Sequence, residues 1–86
     1  MRFEKDDIVR HFKYETLTDE EKMENKYMYR IIGQAIHSET REELMVYQAM
    51  YGDKLMFVRP MEMFLEEVDR EKYPDIRQKY RFEAVK

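Results

Sequence analysis

Cysteine and tryptophan are both absent from these 86 residues, and glycine and proline occur twice each. Without cysteine there is no disulfide framework, no zinc knuckle and no thiol nucleophile. The two glycines, Gly33 and Gly52, cannot supply the glycine-rich loop of a Walker-type or dinucleotide site. No apolar run reaches the roughly 18 residues of a membrane span, and the start, MRFEKDDIVRHF, lacks the apolar stretch of a signal peptide. These absences predict a cytoplasmic chain. Charge of one sign is also missing in any excess: 16 basic residues stand against 19 acidic ones, a net −3 within a 41% charged content. Such a balance argues against non-specific attraction to nucleic acid.

What is present is aromatic and methionine-rich. Seven tyrosines, five phenylalanines and eight methionines carry much of the 43% hydrophobic content, and with no disulfide they must supply the core alone. No repeat, low-complexity tract or Gly/Ser linker interrupts the chain, which reads as one domain over 1–86, with a core at about 8–69 and a C-terminal extension at 70–86. Charge is unevenly placed along it. Residues 15–25 carry a net −4, and residues 70–86 a net +3.

Residues 8–14 are β-prone and predict a first strand. Thr18 followed by Glu21 is a capping-box spacing, so a short helix is expected inside the acidic loop that follows. Residues 27–37, YMYRIIGQAIH, predict a long strand, with Gly33 marking a bulge or a bend. LMVYQAMY at 44–51 and residues 55–59 predict two further strands, the second stopped by Pro60. MEMF at 61–64 suggests one helical turn before residues 64–68 extend again. Beyond the Tyr73-Pro74 break, a turn of helix at 75–79 and a last strand at 81–85 are expected. This order describes a mainly β chain: a small five-stranded SH3-like barrel with a long acidic loop after the first strand, its sheet closing on itself to leave few edges.

The runs HFK, YRIIGQAIHSET, ELMVYQAMYGDK and VRPMEMFLEEV carry a resemblance. The most specific parts are His37-Ser38-Glu39-Thr40, residues 46–52, and Arg59-Pro60 followed by Met63-Phe64. Together they make residues 10–69 similar to the DUF1653 family of small bacterial proteins, and KYPDIRQKYRFE at 72–83 looks like the extension of one branch. The resemblance implies an SH3-like barrel and no activity, since the family's function is unassigned. Many members have tryptophan where this chain has Phe57, so no indole N–H is available at that position.

Three groups of residues are candidates for chemistry. His37, Ser38, Glu39 and Thr40 form the densest polar cluster beside an apolar strand, and histidine suits proton transfer near neutral pH. The competing reading, and the preferred one, is a structured hairpin connection, with Thr40 and Glu43 at a second capping-box spacing. Tyr47, Tyr51 and Phe57 form an exposed aromatic shelf if Leu44, Val46 and Met50 fill the barrel, and internal cover if the tyrosines face inward. Arg59, before a rigid proline, can grip a carboxylate or phosphate, or form an internal ion pair with Glu39, Glu62 or Glu66. The sharpest expectation is that His37, Glu39, Tyr47 and Arg59 converge on one patch.

No metal site is expected, because His11 and His37 lie far apart and the acidic stretch lacks a calcium-loop pattern. No cofactor is implied. The favoured function is a non-catalytic binding module for a peptide, nucleotide or small anionic ligand, with His37, Ser38, Glu39, Thr40, Tyr47, Tyr51, Phe57 and Arg59 as its ligand-binding candidates. Three alternatives stand beside it: a small hydrolase or isomerase using His37 as general base, a homo-oligomeric assembly protein built on the tyrosine face, and an RNA binder using Arg77, Lys79, Tyr80, Arg81 and Phe82. The ligand or protein partner itself is not legible, and no membrane partner is expected.

Overall fold

The computed structural model describes residues 3–85. Five strands form one antiparallel sheet: β1 (Ile8–His11), β2 (Met28–Ile36), β3 (Glu43–Ala49), β4 (Met56–Pro60) and β5 (Phe82–Ala84). Their order is β4-β3-β2-β1-β5, so the arrangement is SH3-like but the barrel stays open. The expected closure does not occur: β4 and β5 are both edges. Two short helices, α1 (Asp19–Met23) and α2 (Met61–Phe64), complete the fold with a 3₁₀ turn at Phe12–Thr16.

β1 ends three residues earlier than its β-prone run suggests. The Lys13 N–H donates to His11 Nδ1 at 3.1 Å, and this local bond turns the chain into the 3₁₀ segment. α1 begins where the capping box predicts. Thr18 Oγ1 accepts from the Glu21 N–H, while the Glu21 carboxylate accepts from the Thr18 N–H. In β2 the pairing steps from Ile31–Tyr47 to Gly33–Val46, two residues against one. Gly33 sits at φ 157° in open space, so its backbone rather than crowding calls for glycine. The bulge also shifts the register, so that Gln34 rather than Gly33 lies opposite the buried Met45 and residues 27–37 do not keep one alternating phase against β3.

The strand expected at 81–85 forms, as β5, while the one expected at 64–68 does not. Residues 64–68 make only an isolated bridge, Glu67 to Tyr80, and no helical turn forms at 75–79. Instead the N–H groups of Arg77 and Gln78 donate to the Glu15 carboxylate at 2.9 and 2.7 Å. The buried Gln78 amide donates to the carbonyls of Arg10, Tyr80 and Arg81. These contacts lay the segment along β1 and deliver Phe82 into the core. There its ring stacks on Phe64 at 4.1 Å and 8°. Val9, Tyr29, Ile31, Met45, Tyr47, Ala49 and Met61 surround that pair, and a smaller cluster joins Phe12, Val68 and Ile76. Among the described residues, no helix is long and apolar enough to cross a membrane.

Candidate functional site

His37 opens the tip between β2 and β3. Its Nδ1 accepts from the N–H groups of Glu39 and Thr40, each at 3.2 Å, and all of residues 37–42 are exposed. Thr40 Oγ1 accepts from the Glu42 N–H, and Glu43 begins β3, so the second capping box does not form. Histidine here organises a turn.

The tyrosines face inward. Tyr47 lies on the buried face of β3 with Met45 and Ala49, while Leu44 and Val46 point the other way. The half-buried Tyr51 shares a hydroxyl hydrogen bond of 2.9 Å with Tyr29, and burial followed by that bond raises the Tyr29 pKa. Phe57, paired opposite Tyr47, keeps 38% of its surface exposed at the sheet edge. No outward tyrosine shelf exists. Phe82, one of the aromatics offered for base stacking, is likewise in the core.

Arg59 is separated from His37. It lies across from Met45 on the same face as Phe57, where its charge acts on His11. The patch expected from His37, Glu39, Tyr47 and Arg59 therefore does not assemble. Arg59 forms none of the ion pairs proposed for it, and Glu66 is within 3.6 Å of Arg81 instead.

Arg59 does line a hollow of about 190 Å³ with His11, Phe12, Lys13, Asp69, Lys72, Tyr73 and Arg81. Each element brings one part. The end of β1 supplies His11 and the 3₁₀ turn supplies Lys13. The end of β4 supplies Arg59, the loop after α2 supplies Asp69, Lys72 and Tyr73, and the residue before β5 supplies Arg81. Four cations thus surround a space with one acid in its lining. Among the described residues Lys13, Arg59 and Lys72 make no ion pair. Asp69 is already engaged, accepting from the N–H groups of Glu71 and Lys72. Tyr73 packs edge-on against Phe12 at 4.8 Å, forming an aromatic wall.

The His11 ring sits among Phe12, Tyr27 and Phe82. Burial, then the positive charges of Lys13, Arg59 and Arg81, push its pKa down to about 4. With Nδ1 accepting from Lys13, the neutral ring carries its proton on Nε2 and remains a donor. The folded state binds a proton less readily than the unfolded chain, whose histidine titrates near 6.5. The resulting stabilisation is complete above pH 6.5 and is lost as pH falls toward 4. Once the exposed edge of the ring is allowed for, this is worth about 2 kcal/mol. Urea unfolding across that window should show the decline in the wild type. His11→Asn should flatten it; an unchanged slope would show that His11 is not the group responsible.

The HFK run contains His11 and Lys13, and the basic excess at 70–86 contains Lys72 and Arg81. Their meeting with Arg59 was not readable, because it depends on where residues 69–81 cross the sheet. Among the described residues no group of three or more His, Cys, Asp or Glu is placed to hold a metal ion.

The chain is therefore a mainly β, SH3-like protein with an open sheet and a basic hollow at one end. It belongs to DUF1653, described as a protein of unknown function, whose match covers residues 7–84. Neither the curated proteins nor the solved structures contain a match to it.

Proposed function

We propose that this chain is a cytoplasmic, non-catalytic binding module that holds a small anionic group in the hollow formed by His11, Lys13, Arg59, Lys72, Tyr73 and Arg81. The observation carrying this reading is four cations around one space, three of them without an ion-pair partner among the described residues. Cations held near one another repel, and an anion placed between them relieves that repulsion while gaining charge-assisted hydrogen bonds. At about 190 Å³ the space suits a phosphate or carboxylate group rather than a whole drug-sized molecule. A phosphorylated or carboxylated ligand would then leave its remainder outside, beside Tyr73. The exposed position of His37, with Nδ1 occupied by two backbone donors, supports binding over catalysis.

The test is an amide and imidazole chemical-shift titration with inorganic phosphate, pyrophosphate and citrate. Shifts should concentrate at residues 11–13, 59, 69–73 and 81. The His11 pKa should also rise on binding, because the anion offsets the charges that depress it. Saturating pyrophosphate that moves none of these signals would sink the reading.

A further inference from the structure

The free edge of β4 is unusually apolar for a protein that stands alone. Leu55, Met56, Phe57 and Val58 are exposed by 59, 58, 38 and 61%, and among the described residues β4 pairs only with β3. Edge strands of monomers are commonly blunted by an inward charge, a bulge or a covering loop. None of these interrupts residues 55–58; the inward-facing Arg59 and Pro60 come only after them.

The hydrogen-bond phase of the edge follows from its inner side. The Ala49 N–H donates to the Leu55 carbonyl at 2.9 Å, which makes Ala49–Leu55, and in turn Tyr47–Phe57 and Met45–Arg59, the hydrogen-bonded pairs of the β3–β4 ladder. The main-chain groups of Met56 and Val58 consequently point away from the sheet. So does Pro60, which has no N–H to offer and ends the usable edge.

We propose that β4 pairs antiparallel with β4 of a second copy of this chain, about a two-fold axis at Phe57, joining two sheets into one. In that register Met56 of each copy exchanges both main-chain bonds with Val58 of the other, so every outward N–H of the two edges is satisfied. Phe57 meets its symmetry mate at the closely spaced, non-hydrogen-bonded position, where aromatic pairs are favourable. A two-fold axis at Val58 would instead set Phe57 opposite Arg59. Charge favours the same occupant. Lys54, in the turn that leads into β4, then comes close to Pro60 of the other copy, beside the hollow that Glu42, Glu43 and Glu62 line with Pro60, Met61 and Leu65. Each copy thus offers both the cation and the acidic recess. The contact is small, so the dimer should be weak and concentration-dependent.

Sedimentation equilibrium over micromolar to millimolar concentrations tests this. Val58→Pro removes an outward N–H that β3 does not use, and should weaken the dimer at least about tenfold. Lys54→Glu should weaken it too, and Lys54→Glu with Glu62→Lys should restore it, a rescue independent of whether the proline variant folds. A wild type that is monomeric throughout the range overturns the proposal. So does a dimer that neither Val58→Pro nor the charge reversal weakens, which would place the contact elsewhere.

Discussion

Phe82→Ala is expected to destabilise the protein by about 3–5 kcal/mol, against a total of roughly 4–13 kcal/mol for a chain of this length. Phe82 is 1% exposed and stacks on Phe64. It also touches the rings of His11, Tyr29 and Tyr47. Truncation removes these contacts and leaves a cavity that the stiff sheet behind it can fill only partly. The urea midpoint should fall by about 3–5 M, taking a slope near 1 kcal/mol per molar. Phe57→Ala is the internal control: its ring is more than a third exposed, so the loss should be about 1 kcal/mol. A Phe82→Ala loss no larger than the control would mean that β5 is an ornament on a four-stranded sheet rather than part of its core.

Arg59→Gln should reduce affinity for pyrophosphate by about 10–100-fold, the usual worth of a charge-assisted hydrogen bond to an anion. Lys72→Gln should cost less, since a flexible ammonium gives up less geometry than a guanidinium fork. The same Arg59 substitution should leave the fold intact at neutral pH, because Arg59 has no ion-pair partner to abandon among the described residues. It should also raise the His11 pKa from about 4, one of the charges holding it down having gone. Calorimetry gives the affinity and an imidazole titration gives the pKa. Weakened binding with an unmoved His11 would show that Arg59 acts from outside the hollow. An unchanged affinity would remove Arg59 from the site.

Much of the backbone was legible because its signals are local. The α1 capping box needs only Thr18 and Glu21, and the β2 bulge follows from a glycine within a β-branched run. The stop of β4 follows from Pro60, which cannot donate. Three readings failed where long-range contact overrode local preference. Residues 64–68 form no strand, and the strand expected at 81–85 takes the fifth place instead, because Glu15 and Gln78 fasten that later segment against β1. The sheet stayed open because, with Phe82–Ala84 completing the β1 side, β4 and β5 lie at opposite ends of the strand order. His37 and Arg59, joined on paper by chemical suitability, face different surroundings.

By itself the sequence determined a mainly β chain of the DUF1653 type, free of disulfides, with an aromatic and methionine core and turns set by short-range bonds. Composition and nearest-neighbour chemistry suffice for that, since capping, bulging and strand termination involve residues a few positions apart. Only the tertiary structure decided which face of the tyrosine strand is inside, that the last strand pairs with β1 while residues 64–68 form none, and which cations share a space. Those outcomes rest on pairs such as Glu15 with Gln78 and Phe64 with Phe82, widely separated in the chain and brought together by folding alone.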